Sequence, residues 1–291
     1  MGAQVARSGS GSDRLSALML LSPAYLWLMV AVFLPLSAMA FFSFLTDVPF
    51  GGRVWQGTLG NYAAFFETGT YALLLGKSIR LALIVTAVCV VAGFPCAWVL
   101  AKMIRGRARE AVFLLVILPF WSNALVRVFS WAIVLRCNGV LERAVNALLP
   151  WDVKLGLAYS QSAIVIGLVH SYLPYVILTA YLALQAIDDS LIEAARSMGA
   201  GKRMILWRII LPLSSPGLIA GAVLIFVPVV GSFMEPRLLG GRVGTYYGTV
   251  IEDQFVAVFN WPLGAALSFI LLAVVLMILA LASPVLRQAR P

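Results

Sequence analysis

Charged and metal-binding side chains are scarce in this chain, and their scarcity excludes several classes of protein. Only 11% of the 291 residues are charged, whereas an ordinary soluble domain has about 25%. The chain has one histidine, His170, and three cysteines that form no C-x-x-C pair, so neither residue type is expected to build a metal centre. It also lacks the pattern G-x-x-x-x-G-K-[ST], which argues against nucleotide binding by this chain.

Long apolar runs fill most of the remaining sequence. Hydrophobic residues make up 62% of the chain, and the mean hydropathy of +0.97 is too high for a chain folded around one buried core. A membrane-spanning helix needs about 20 mainly apolar residues. Runs of that kind lie at 17–45, 77–101, 111–135, 161–187, 217–235 and 261–286. The sequence therefore predicts an all-α integral membrane protein with six transmembrane helices.

The distribution of basic residues predicts how these helices are oriented. The net charge is +9, and basic residues collect on the cytoplasmic side of membrane proteins. The short connection 102–110 carries four basic residues and one acidic residue, so we expect this connection and both termini to be cytoplasmic. Residues 17–287 then form the transmembrane domain, between a disordered Gly/Ser-rich tail at 1–16 and a short cytoplasmic tail at 288–291. Nucleic-acid binding is not expected, because the sequence has no soluble basic and aromatic module.

One polar segment, residues 188–216, separates the fourth and fifth predicted spans. We predict a short helix over 190–198 that stops at Gly199, because glycine is common just past a helix end. A second short helix over 202–210 would be closed by Pro212 before the next span. Four crossings return this segment to the side of the N-terminus. These residues alone leave two interpretations open, a docking surface for a cytoplasmic partner and an amphipathic helix pair resting on lipid headgroups.

The same segment resembles a known family motif. The sequence EAARSMGAGKRMILWRIILP at 193–212 is similar to the cytoplasmic motif of binding-protein-dependent ABC importer permeases, which reads E-A-A, three residues, G, nine residues, I-x-L-P. The matching positions are Glu193, Ala194, Ala195, Gly199, Ile209, Leu211 and Pro212. The resemblance implies the type I ABC importer permease fold, in which a coupling helix within the loop 188–216 sits in a groove of an ATPase subunit.

Four further segments are similar to the spermidine/putrescine branch of that family. They are residues 118–131, 167–178, 227–241 and 250–268. This resemblance implies a transport subunit, not an enzyme, that imports polyamines by alternating access across the bacterial cytoplasmic membrane. The branch also contains importers of opines and aminophosphonates, so such a solute, or another small amine, is the alternative substrate.

The resemblance also implies a set of partners. They are a homologous second permease subunit, a dimer of ATPase subunits, an extracytoplasmic substrate-binding protein and membrane lipid. ATP and Mg are expected in the ATPase subunits, and no cofactor is expected in this chain.

Polar and aromatic residues of the apolar spans are candidates for the substrate pathway, because polar groups within a bilayer are costly and usually functional. The carboxylates of Glu235 and Asp253 would attract an ammonium group. Aromatic faces suited to a cation belong to Trp121, Trp131, Tyr172 and Tyr175. Arg127 would repel a polyamine unless it is turned away or paired, with Glu235 as one conceivable partner. It favours an anionic or zwitterionic substrate if it lines the pathway. The alternative for all these side chains is structural, as packing, interface belts or boundary charges.

Overall fold

Helices make up nearly all of the regular structure. The computed structural model describes residues 12–47, 56–149 and 154–288, and the described backbone contains one isolated bridge, between Leu45 and Gly57, besides its helices and turns. The α-helices are α1 Ser12–Ser43, α2 Gly60–Glu67, α3 Thr70–Trp98, α4 Arg107–Ile117, α5 Ala124–Leu135, α6 Val140–Leu148, α7 Gln161–Gln185, α8 Asp189–Ser197, α9 Lys202–Ile205, α10 Leu211–Val230, α11 Met234–Leu239, α12 Tyr247–Val256 and α13 Trp261–Gln288.

Four shorter turns complete these elements. The π-helical turn Val99–Met103 continues α3, and a second π-helical turn, Leu206–Ile210, joins α9 to α10. Two 3₁₀ turns lie at Leu118–Trp121 and Gly241–Val243. Of the two predicted tails, residues 1–11 and 289–291 lie outside the described residues, whereas residues 12–16 already form the start of α1.

Five of the described helices are long and apolar enough to cross a membrane. They are Met19–Ser43, Thr70–Met103, Gln161–Gln185, Lys202–Val230 and Trp261–Ser283. A sixth crossing results if α5 and α6, which are bent by 42° relative to each other, together form one span. The described part of the chain thus has five or six spans, close to the predicted number.

The predicted span 111–135 is not one continuous helix. It is divided between α4 and α5 by the 3₁₀ turn and by Ser122, whose backbone is extended. Pro119 in this turn has no N–H to donate. The side chain of Asn123 then accepts a hydrogen bond from the backbone N–H of Leu125 at 2.8 Å and starts α5 as its N-cap.

The segment after Gly201 also differs from its prediction. The expected second short helix, 202–210, does not end before Pro212 but runs through the π-helical turn into α10 as one 29-residue helical stretch. A π-helical turn shifts the backbone hydrogen-bond pattern by one residue. Pro212, which cannot donate such a bond, is therefore accommodated as the second residue of α10 and does not end the helix.

The centre of the molecule is the packing of α3, α7 and α10 on one another. Glycines permit the close contacts: a Cβ built on Gly93 would lie 3.0 Å from Val176, and one on Gly221 would lie 2.4 Å from the Thr179 hydroxyl. Helices in lipid associate mainly through van der Waals contact, which small residues make close. Outside this trio, α1 packs on α13. The apolar side chains of α1 are largely exposed, as suits a lipid-facing helix.

The α3–α7–α10 bundle has two distinct ends. Its α8 end contains the loop between α3 and α4 as well as α8 itself. Its α11 end contains α11 and α12, which fold against the other ends of α7 and α3. Lys77 of α3 secures this end, because its ammonium donates to the carbonyl oxygens of Val243 and Thr245 at 2.9 and 2.8 Å.

We expect Gly217→Ala to destabilise the bundle by about 1–3 kcal/mol, the usual cost of overpacking a well-packed interior. The new Cβ would lie 2.5 Å from the Cβ of Ala183 and 2.7 Å from the carbonyl oxygen of Thr179, and that backbone atom cannot rotate away. The matched control is Gly76→Ala in α3, where a Cβ meets no atom within 4 Å. Thermal unfolding in detergent measures both variants, and equal midpoints would contradict the packing described.

Candidate functional site

The α8 helix is defined at both ends by local hydrogen bonds. At its start, the carboxylate of Asp188 accepts from the backbone N–H of Ser190 at 2.9 Å, and this bond lowers the pKa of Asp188. At its end, Gly199 adopts a φ of +83°, and the N–H of Ala200 donates to the carbonyl of Ala195 at 3.0 Å. This is a Schellman ending, which requires the left-handed conformation that glycine adopts without strain. The predicted short helix ending at Gly199 is confirmed.

The two faces of α8 have different environments. Ile192 and Ala195 are buried in a cluster that includes Leu100 of the first π-helical turn and Ile210 of the second. Glu193 and Ala194 are exposed on the opposite side of the helix. The helix thus packs on the bundle through one face and presents Glu193 and Ala194 to its surroundings on the other.

The residues of the E-A-A motif therefore divide into two groups. Glu193, Ala194 and Gly199 are exposed, whereas Ala195 packs inward. Ile209 packs against the same buried cluster from the π-helical turn. The last two motif positions lie in α10, where Leu211 is half-buried and Pro212 is exposed. Spacing along the chain did not distinguish the inward-facing members from the exposed ones.

A cleft of about 380 Å³ lies between α8 and the end of α3. Lys102, at its edge, donates to the carbonyl oxygen of Ile187 at 2.6 Å and to the carboxylate of Asp189 at 2.7 Å. The hydrogen bond from Lys102 lowers the pKa of Asp189, so the ion pair is present at neutral pH and is lost only as the pH falls through that lowered pKa. Lys102 was not a predicted site residue, because its partners lie more than 80 residues away along the chain.

Several exposed apolar side chains lie on the segment that follows α8 and at the end of α3. Met198 directly follows the helix, Met204 and Trp207 lie on the adjoining stretch, and Met103 lies at the end of α3. An exposed apolar patch rimmed by charged residues is typical of an interaction surface.

At the α11 end, Glu235 is buried, and its carboxylate accepts a hydrogen bond from the Ser232 hydroxyl at 2.8 Å. The sequence placed Glu235 at the end of a span over 217–235, but α10 stops at Val230 and Glu235 belongs to α11. The break makes Glu235 part of a short helix that packs on α7, where a Cβ on Gly167 would lie 3.9 Å from the Glu235 side chain.

Arg127 does not pair with Glu235 in the described part of the chain. Its Nη1 donates to the carbonyl oxygen of Pro119 at 3.1 Å, and its buried Nε has no hydrogen-bond partner among the described residues. Arg127 lines an open cleft of about 320 Å³ together with Trp131 and His170. The rings of Trp131 and His170 meet edge to face, with centroids 5.3 Å apart. His170 thus lies beside the candidate pathway residues.

Tyr172 connects these groups. Its ring centroid lies 5.9 Å from that of Tyr175, and its hydroxyl is within electrostatic range of both Glu235 and Arg127. The structure therefore gathers five of the seven predicted pathway residues into one region between α5, α7 and α11, which we call the mid-bundle polar region: Arg127, Trp131, Tyr172, Tyr175 and Glu235.

The other two predicted pathway residues lie in different surroundings. Trp121 is 90% exposed in the 3₁₀ turn after α4. Asp253 of α12 forms an ion pair with Arg237 of α11, which also pairs with Glu252. The carboxylate of Asp253 is therefore already paired, although it shares Arg237 with Glu252, and the ion pair joins two short helices. No group of three or more His, Cys, Asp or Glu side chains in the described ranges is arranged to hold a metal ion.

Comparison with known proteins agrees with this architecture. The family described as "Binding-protein-dependent transport system inner membrane component" matches residues 91–288. The spermidine/putrescine transport system permease protein PotB of Escherichia coli K12 is 38% identical over 247 residues, covering 84% of this chain and 88% of that protein. The PotB protein of Haemophilus influenzae is 34% identical over 242 residues, covering 83% of this chain and 84% of that protein.

A solved structure has the same fold. The bacterial alginate ABC transporter in complex with a periplasmic protein bound to an alginate pentasaccharide contains a chain that superimposes with a TM-score of 0.71 at 17% identity, covering 93% of both chains. This agreement and the family match confirm the predicted type I ABC importer permease fold. The chain belongs to the family of inner membrane components of binding-protein-dependent transport systems, and it is a permease subunit and not an enzyme.

Proposed function

We propose that this chain is the permease subunit of an ATP-driven importer that moves spermidine and putrescine into the bacterial cell. The observation that carries this proposal is the 38% identity to a spermidine/putrescine permease, which extends over 84% of the chain. The mid-bundle polar region supports it, because that region contains a buried carboxylate, Glu235, within electrostatic range of Tyr172, whose ring centroid lies 5.9 Å from that of Tyr175. A carboxylate and aromatic faces are the groups that attract an alkylammonium ion.

The partners of the proposed importer are a homologous second permease, two ATPase subunits and an extracytoplasmic binding protein, all within membrane lipid. ATP and Mg bind the ATPase subunits. The exposed Glu193 and Ala194 of α8, together with the exposed Met198 and Trp207, support α8 as the coupling helix that docks on an ATPase subunit. The small side chain of Ala194 allows a partner to approach the helix backbone closely at that position.

The orientation of the chain follows from this assignment. The α8 end and both termini are cytoplasmic, in keeping with the four basic residues of the connection 102–110. The α11 end then faces the binding protein. In the transport cycle, the binding protein delivers the amine to the α11 end, ATP closes the two ATPase subunits, and their movement displaces α8. The bundle responds by exposing the mid-bundle polar region alternately to the two sides of the membrane.

A second candidate substrate is an amine that also carries an acidic group, such as an opine or an aminophosphonate. The observation that favours it is the open cleft lined by Arg127 and His170, in which the buried Arg127 Nε and His170 Nδ1 have no hydrogen-bond partner among the described residues. An acidic oxygen of the substrate would satisfy the Arg127 donor. In the polyamine importer, by contrast, Arg127 keeps its bond to Pro119 and the ammonium groups lie nearer Glu235.

Uptake by the reconstituted importer tests the proposed function. We expect liposomes that contain both permeases and the ATPase subunits to accumulate labelled spermidine only when ATP is inside and binding protein is outside. Accumulation of a labelled opine or aminophosphonate, and not of spermidine, would favour the second candidate substrate over the first. Spermidine uptake by this chain alone, without ATPase subunits, would overturn the ATP-driven mechanism.

We expect Ala194→Trp to weaken the association with the ATPase subunits at least about tenfold, a loss of about 1.4 kcal/mol. An indole on the exposed face of α8 would hold the two surfaces apart, while the buried face that anchors the helix is untouched. Copurification of the ATPase with the tagged permease measures the effect. The matched control is Ala147→Trp on α6, also exposed and remote from α8 along the chain. Equal copurification of both variants would argue against docking on this face.

We expect Glu235→Gln to lower spermidine uptake about tenfold without changing ATPase association. The amide keeps the shape of the carboxylate and can accept from Ser232, but it no longer attracts a cation. Glu142→Gln is the matched control, because Glu142 is another buried glutamate, on α6. Normal uptake in the Glu235 variant would remove Glu235 from the pathway, whereas equal losses in both variants would indicate a general effect on stability.

A further inference from the structure

Lys102 stands at a junction of three helices. It lies in the π-helical turn that continues α3, and its ammonium binds the carbonyl of Ile187, just beyond the end of α7, and the carboxylate of Asp189, in the first turn of α8. A cation is favourable at the carbonyl end of a helix such as α7. One side chain thus joins a membrane-spanning helix to both sides of the α7–α8 connection.

The Lys102 contact differs in kind from the other contacts of α8. Ile192 and Ala195 rest on apolar neighbours, and apolar surfaces remain in contact when they slide by an ångström. Charged hydrogen bonds of 2.6 and 2.7 Å do not tolerate such a shift, since they weaken steeply with length and angle. When α8 is displaced, Lys102 therefore has to move with it or lose both bonds.

Burial makes the loss of these bonds expensive. The Lys102 side chain is only 13% exposed, whereas Asp189 is 65% exposed. An ammonium that is largely removed from water and left without acceptors is strongly destabilising. Following α8 is thus the lower-energy response for Lys102, and the end of α3 is drawn along with it.

The backbone around Lys102 is of a kind that permits such movement. The N–H of Ile104 donates to the carbonyl of Val99 at 3.0 Å, five residues back, instead of four. A second π-helical turn, Leu206–Ile210, packs into the same buried cluster as the first turn and the buried face of α8. Single π-helical turns interrupt the regular hydrogen-bond ladder and occur frequently at functional sites.

We propose that Lys102 is a positioning residue for transport, which transmits the displacement of α8 to the cytoplasmic end of α3. The proposal rests on the proposed function, because it takes α8 to be the element that the ATPase moves. Lys102 lies outside the E-A-A motif, and so do Ile187 and Asp189, the two residues that it contacts. The proposal therefore assigns part of the coupling to a residue that the motif does not include.

The test separates ATP hydrolysis from uptake in the assembled importer. In Lys102→Met the apolar stem is kept and both bonds are lost. We expect normal ATPase copurification and near-normal ATP hydrolysis, but about tenfold less spermidine transported per ATP, within the range of ordinary coupling between sites. Lys202→Met is the matched control, since Lys202 lines the same cleft but its side chain makes no hydrogen bond or ion pair to the described residues. Unchanged transport per ATP in Lys102→Met, or an equal loss in Lys202→Met, overturns the proposal.

A double variant tests whether the two charges act as one unit. Asp189→Asn alone should lower transport per ATP less than Lys102→Met, because the bond to Ile187 remains. The double variant should be no worse than Lys102→Met, since the interaction is already lost. Losses that multiply in the double variant contradict a shared role. If Lys102→Met fails to fold, Asp189→Asn replaces it as the test, because the exposed carboxylate of Asp189 is not needed for packing. Unchanged transport per ATP in Asp189→Asn then overturns the proposal.

A measurement on the isolated chain distinguishes failure of this proposal from failure of the proposed function. If the wild-type chain neither binds the ATPase nor supports spermidine uptake, the proposed function is wrong. Hydrogen exchange then reports on Lys102 directly. The amides at the start of α8 should exchange faster in Lys102→Met than in Lys202→Met, and equal exchange overturns the role of Lys102.

Discussion

Close packing of α3, α7 and α10 is the contact on which the rest of the structure depends. Apolar side chains gain little when they exchange lipid for protein, so the helices are held by van der Waals contact at short range. Glycine at positions 93, 217 and 221 allows the helices to approach this closely, because the neighbouring atoms leave no room for a Cβ. Both α8 and α11 follow directly from the ends of this trio, so its geometry sets their positions.

An apolar centre of this kind leaves the ion pairs of the described residues at the two ends of the bundle. At the α8 end, Lys102 meets Asp189, and at the α11 end, Arg237 meets Glu252 and Asp253. Also at the α11 end, Glu235 is buried within electrostatic range of Tyr172, and its carboxylate accepts a hydrogen bond from Ser232. In the proposed importer, the first end receives mechanical force, and the buried carboxylate receives the cation.

Features encoded within a few residues were predictable. The short helix α8 lies close to the predicted 190–198, because turns and caps act over a single turn of chain. The break within 111–135 and the uninterrupted helix through Pro212 were not predictable from hydropathy. Both runs are apolar, and the difference depends on hydrogen bonds around the prolines, formed by Asn123 in one case and by a π-helical turn in the other.

The sequence by itself determined that the chain is helical and membrane-embedded, since hydropathy is a property of each apolar run. The E-A-A motif could also be identified from the sequence alone, because it is defined by residue types and their spacing. Only the tertiary structure decided that Ala195 faces inward while Ala194 is exposed, and that Arg127 bonds to Pro119 and not to Glu235. The tertiary structure alone brings Lys102 into contact with Asp189, which lies 87 positions later in the chain. The physical reason is that side-chain contacts depend on how distant helices pack, whereas hydropathy and helix caps depend on neighbouring residues alone.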